Sequence, residues 1–299
     1  MADSLTPAEV KEFLEGALQM QNPLVKLQED RVAFLDDVIY AFQEKIPFQS
    51  VTAIATPRSE RRRLTFEEIK TNILTRLGGL CFESNYFMKV LLERLGYDAH
   101  HVGFDVNGKP NNHLAIVVRS LSRPGDTYLV DVSCGYWMPG SIPLDFERES
   151  PVYCASSLPH KFVWGADGTV RWMHGVHGDV FQSATADPVD GWRVFTMSRL
   201  EPRAIEFFEG TMENIRTVES GPEALTPLLL TLRAMIFING KMFAIKDATV
   251  LEEDETGKVH KKRLSSQEEM LELFAIHFPQ IPRETVLQAL QTLGLTFQV

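Results

Sequence analysis

The stretch Leu77-Gly78-Gly79-Leu80-Cys81-Phe82-Glu83-Ser84-Asn85 constrains this chain most. Paired glycines break regular structure and let the backbone turn tightly. Phe82, Tyr86, Met88, Leu91, Leu92 and Leu95 then recur at helical spacing, and Gly96 supplies a stop. The spacing places Cys81 at or just inside a helix N-terminus. Unpaired N–H groups and the positive end of the helix dipole favour a thiolate there, and a thiolate is a nucleophile. The plainer reading is a small buried apolar residue, the common fate of a free cysteine. What separates the two is whether the chain gives Cys81 a base and a group to orient that base.

Composition excludes several classes. The 299 residues are enough for about two or three compact units with a sizeable core. The formal net charge of −10 argues against a nucleic-acid partner and against an anionic membrane surface. The one basic run, Arg58-Ser59-Glu60-Arg61-Arg62-Arg63, reads as a solvated loop or as a patch for a phosphate-bearing ligand. Three cysteines, Cys81, Cys134 and Cys154, are no disulfide scaffold and suit a reducing compartment. The first residues have neither the basic nor the apolar region of a signal peptide. The longest oily run, Leu228 to Ile238, is too short to span a bilayer. A cytoplasmic protein is expected.

The first part reads as helical. Thr6-Pro7-Ala8-Glu9 and Thr65-Phe66-Glu67-Glu68 are capping boxes. Ile46-Pro47-Phe48-Gln49 is extended, because proline bars helix before it. From Tyr97 the period becomes alternating: strands are expected at Val102–Val106, His113–Val118 and Thr127–Val132, then at Lys161–Trp164, Val170–Met173 and Trp192–Met197. Short strands at close spacing suggest an antiparallel barrel or sandwich. From Glu201 the pattern mixes. Ala204–Ile215 is helical, Leu228–Ile238 is ambiguous, Asn239-Gly240 is a hairpin turn, and helices follow Ser266 and Pro282. The division is 1–96, 97–200 and 201–299.

A base and an orienter emerge from the strands. His113 opens one strand and Asp131 lies near the end of the next. A hairpin centred on residue 122 sets them directly opposite on one face, with Cβ atoms roughly 5 Å apart. The carboxylate can then hold one imidazole nitrogen and leave the other for Cys81. A carboxylate in Leu129-Val130-Asp131-Val132 also needs a partner to offset its burial. The bland alternative is a strand-end aspartate and a core histidine. His100 and His101 point to opposite faces. His174 and His177 are expected in a glycine-bearing turn without a nearby cysteine. No metal or nucleotide motif is present.

Gly78-Gly79-Leu80-Cys81-Phe82-Glu83-Ser84-Asn85, His113-Leu114, Leu129-Val130-Asp131-Val132 and Ile46-Pro47-Phe48-Gln49 together resemble the arylamine N-acetyltransferases. Order and spacing agree over at least residues 5 to 200. The resemblance implies an α+β fold: an N-terminal helical bundle carrying Cys81, a central antiparallel β-barrel carrying His113 and Asp131, and a C-terminal α/β lid around a cysteine-protease-like core. It implies a ping-pong reaction in which Cys81 takes an acetyl group from acetyl-CoA and gives it to an arylamine, arylhydrazine or N-hydroxyarylamine, a step of xenobiotic metabolism. Phe48, Gly79, Leu80, Ser133, Cys134 and Gly135 would contact substrates. No metal is implied, nor any nucleic acid or membrane partner, and the protein would be a monomer or a weak homo-oligomer. The chain departs from the family at Leu77, where an arginine is usual, at Ser133-Cys134-Gly135 in place of Gly-Phe-Gly, and at Gln49-Ser50 in place of Glu-Asn. A cysteine hydrolase or transglutaminase-like enzyme, or a silent binding protein on the same fold, are the competing readings.

Overall fold

Thr6 and Thr65 cap helices as their boxes require, each accepting from the backbone N–H three residues on. The computed structural model describes residues 3–154, 158–176 and 188–297, so His177 lies outside the described residues. In the first part α1 (Pro7–Lys11) continues as a π-helical turn (Glu12–Ala17). Then come α2 (Pro23–Glu29), α3 (Arg31–Lys45), the short strand β1 (Phe48–Gln49), α4 (Val51–Ala55), α5 (Phe66–Leu74) and α6 (Cys81–Arg94).

The middle of the chain is β2 (Asp98–Val106), β3 (Lys109–Arg119), β4 (Thr127–Val130), β5 (Ile142–Pro143), β6 (His160–Trp164), β7 (Val170–Gly175) and β8 (Trp192–Ser198). They form one antiparallel sheet in the order β5-β4-β3-β2-β8-β7-β6. His174 is therefore a buried strand residue of β7, not part of a turn. The rest is α7 (Glu209–Thr217), β9 (Arg233–Ile238), β10 (Lys241–Lys246), β11 (Thr249–Glu253), β12 (Val259–Arg263), α8 (Gln267–His277) and α9 (Arg283–Leu293). Leu228–Ile238 resolves into a turn and then a strand. Asn239 and Gly240 both take positive φ and close the β9–β10 hairpin.

The fold is α+β, with N-terminal helices and a curled antiparallel sheet. Two packings position the site. Phe87, Met88 and Leu91 of α6 are fully buried against β2 and β3 with Val102, Leu114 and Ile116. Each such side chain contributes roughly 1.5–3 kcal/mol, so the Cys81 helix is rigidly seated on the His113 strand. Strand β1 pairs with β9, bringing Phe48 opposite Met235. Val51 and Ile54 of α4 share a second core with Val286 and Leu290 of α9. The C-terminal sheet is thereby joined to the segment just before the double glycine.

Candidate active site

Cys81 is the first residue of α6, and Leu80 is its N-cap. The two glycines before it answer to two different crowding constraints. Gly78 has φ +73°, and a Cβ there would collide with the Pro47 carbonyl oxygen. A Cβ on Gly79 would collide with the Glu83 carboxylate. That carboxylate accepts from the Leu80 N–H at 2.9 Å, capping the helix start. Its other oxygen accepts from Arg216 Nε of α7 at 2.6 Å, and both side chains are buried. On the near side, Arg76 donates to the Gly16 carbonyl, while Leu77 packs into the second core. The arginine beside the glycines thus ties the turn to the N-terminal helices.

His113 and Asp131 meet, but not as directly opposed residues. The β3–β4 register pairs Ile116 with Val130 and Arg119 with Thr127, so the hairpin centres on residue 123, not 122. His113 is the fifth residue of β3, which starts at Lys109, and Asp131 is one residue past β4. They are diagonal neighbours on one face, within reach of long side chains. His113 Nε2 donates to Asp131 Oδ2 at 2.5 Å. The other Asp131 oxygen accepts from Asn85 Nδ2 and from the Ser133 N–H, both at 2.9 Å.

Burial pushes the His113 pKa down, but the nearby Asp131 and Cys81 and the hydrogen bond to Asp131 outweigh it and raise the pKa to about 10. With Nε2 taken by Asp131, Nδ1 is the imidazole nitrogen left for Cys81. Burial pushes the Cys134 thiol up, and its Sγ donates to the Tyr136 carbonyl at 3.0 Å.

Cys81 and His113 open into a cavity of about 530 Å³. Phe48, Ser133, Cys134 and Gly135 line it; Gly79 and Leu80 do not. They lie behind Cys81, with the Leu80 N–H held by Glu83 and the Gly79 N–H by the Pro47 carbonyl. The sequence reading missed Arg233, Met235 and the Glu219–Leu228 segment, which complete the wall. It also gave no part to Asn85, although that residue was in the motif. The basic run is a solvated loop in which Arg61 is the buried residue, and its arginines are ion-paired. Arg58 and Arg61 both bind Glu219, Arg62 binds Glu68, and Arg63 binds Glu209. Among the described residues, no cluster of three His, Cys, Asp or Glu side chains is arranged to hold a metal ion. Nor is any helix long and apolar enough to cross a membrane.

The sequence model of the N-acetyltransferase family matches residues 31–281. The chain belongs to the arylamine N-acetyltransferase family, whose members are acyltransferases. Solved structures agree in fold. The arylamine N-acetyltransferase of M. tuberculosis is 17% identical with a TM-score of 0.73, covering 98% of this chain and 100% of its own. That of Mycobacterium marinum in complex with CoA is 15% identical with a TM-score of 0.73, covering 95% and 98%. A Bacillus cereus enzyme described as having a unique Cys-His-Glu triad is 16% identical with a TM-score of 0.67, covering 91% and 97%. No curated protein matches the chain in sequence.

Proposed function

We propose that this acyltransferase carries an acetyl group from acetyl-CoA to an arylamine, arylhydrazine or N-hydroxyarylamine through an acetyl-Cys81 thioester. The observation that carries the reading is His113, hydrogen-bonded to Asp131 and lining one cavity together with Cys81. A CoA donor is supported by the M. marinum relative, which has been seen with CoA. The setting we assign is the cytoplasm, and the role is turnover of foreign aromatic amines.

For the reaction the proton shared by the pair sits on His113, which leaves the Cys81 sulfur as the nucleophile. Sγ attacks the thioester carbonyl carbon. The oxyanion that forms is met by first-turn N–H groups of α6, which have no acceptor within the helix. As the intermediate collapses, the carbon–sulfur bond to CoA breaks and His113 gives its proton to the departing sulfur. The amine then attacks the acetyl carbon, neutral His113 takes a proton from it, and the bond to Cys81 breaks. The amide leaves and the starting pair is restored. Asp131 remains ionised throughout and holds the imidazole in register. Phe48 and the Ser133–Gly135 turn shape the acceptor pocket, while Gly79 and Leu80 act by holding the Cys81 turn.

Intact-protein mass spectrometry after mixing with acetyl-CoA alone tests this. A single acetyl adduct is expected, located on Cys81 by digestion, discharged by an arylhydrazine and absent from Cys81→Ser. A wild-type protein that takes up no adduct overturns the reading.

A further inference from the structure

We propose that Arg233 makes this cavity selective for a substrate bearing a carboxylate, carried either on the acyl group of the donor or on the ring of the amine. The inference rests on the acyl-transfer reading above and assigns a residue and a charge class that reading leaves open.

Arg233 begins β9 and lines the same cavity as Cys81 and His113. Its backbone is fixed by Ser50: the Ser50 N–H donates to the Arg233 carbonyl at 2.8 Å, and the Arg233 N–H donates to Ser50 Oγ at 3.0 Å. Among the described residues its side chain donates through Nε alone, to Thr231 Oγ1 at 3.2 Å. Among the described residues, no carboxylate lies within ion-pair distance of its guanidinium. Asp247 is near enough to act through its field, but one of its oxygens already accepts from the Leu232 N–H. Glu219, the acid in the cavity wall, is held by Arg58 and Arg61.

The remaining wall around Arg233 is largely apolar, with Phe48, Leu228, Ala234 and Met235. A cation in such a setting costs free energy until an anion joins it. The guanidinium edge left open matches a carboxylate with two parallel N–H···O bonds. Lys109, by contrast, donates to the Pro222 carbonyl, and its ammonium offers no such fork.

The test compares wild type, Arg233→Met and Arg233→Lys, with folding checked by thermal melts. In one arm malonyl-CoA competes with butyryl-CoA for Cys81 acylation, read by mass spectrometry. In the other, 4-aminobenzoate and its methyl ester accept from acetyl-CoA. One arm is expected to show a wild-type preference for the acid. In that arm, Arg233→Met lowers the acid-to-neutral ratio of kcat/KM by about tenfold or more, the size of one charge-assisted hydrogen bond, and Arg233→Lys restores part of it. Ratios that are unchanged in both arms overturn the proposal, including the case where acid and neutral rates fall together. So does a rise in KM for acetyl-CoA that acetylpantetheine does not share, which would make Arg233 a ligand of the donor phosphates. A wild type that forms no adduct with any donor overturns the acyl-transfer reading, and the proposal with it.

Discussion

Asn85 Nδ2 donates to Asp131 Oδ1 at 2.9 Å, so the helix that presents the Cys81 sulfur also holds the carboxylate that holds His113. Asn85 is one turn beyond Cys81 on α6. Its Nδ2 also donates to the Leu114 carbonyl at 2.8 Å, and its Oδ1 accepts from the Val132 N–H at 3.1 Å. Helix, strand and the turn after Asp131 are pinned by one buried amide.

Asn85→Ala strands the Val132 N–H and the Leu114 carbonyl without replacement. Each buried group left unpaired costs roughly 1–3 kcal/mol. A large fall in Tm and acetylation of Cys81 slowed by on the order of tenfold are expected. A variant that melts and acetylates like wild type would show that Asn85 is not the tie.

The His113–Asp131 pair shows how much of the site was legible. Alternation put both residues on one face of a hairpin. The centre was misjudged because the loop is set by Asp126, whose carboxylate accepts from the Leu121, Ser122 and Arg123 N–H groups and from Ser122 Oγ. Moving the centre by one residue shifts the pairing by two, which preserves the face, so the contact survives as a diagonal. Local signals also placed Cys81 at its helix start and the turn at Asn239-Gly240. They could not place Arg216, Glu219 or Arg233, which reach the site from far along the chain through the β1–β9 pairing and the packing of α7. Charged residues among apolar neighbours, as in Leu232-Arg233-Ala234, were the available signal.

The His113 pKa sets a pH dependence of stability. It is raised from 6.5 to about 10, so the folded state binds the proton more tightly than the unfolded state. The contribution is full below pH 6.5 and is lost as pH rises towards about 10. The excess Tm of wild type over His113→Gln should shrink across that window. An excess that grows with pH would mean that His113 is neutral when folded.

The buried Glu83–Arg216 pair connects the Cys81 turn to α7. Arg216→Met leaves Glu83 charged and without its cation, at a cost of about 3–5 kcal/mol. Glu83→Gln with Arg216→Met removes both charges and should recover much of that loss in chemical denaturation. Equal stability of the single and double variants would rule out the charge as the cause.

The two glycines should differ in severity. Ala at 78 meets the Pro47 backbone at positive φ, whereas Ala at 79 meets the end of the Glu83 side chain. Backbone cannot rotate aside, so Gly78→Ala should lower Tm more than Gly79→Ala. Gly79→Ala should instead show its effect in Cys81 acetylation, since it disturbs the Glu83 cap on Leu80. The reverse ranking in melts would count against crowding as the reason for Gly78.

Glu219 binds two arginines that differ in burial, which separates a structural ion pair from a surface one. Arg58 has a side chain 75% exposed; that of Arg61 is 2% exposed and also donates to the Thr56 and Ile54 carbonyls. Water screens the Arg58 pair, so Arg58→Ala should cost about 0–1 kcal/mol. Arg61→Ala leaves two carbonyls and a partly buried carboxylate short of donors, and should cost about 3 kcal/mol or more. Because Glu219 lines the cavity, Arg61→Ala should also raise KM for the acceptor, while Arg58→Ala changes it little. Steady-state kinetics on the two variants decides this, and equal KM values would separate the clamp from the shape of the cavity wall.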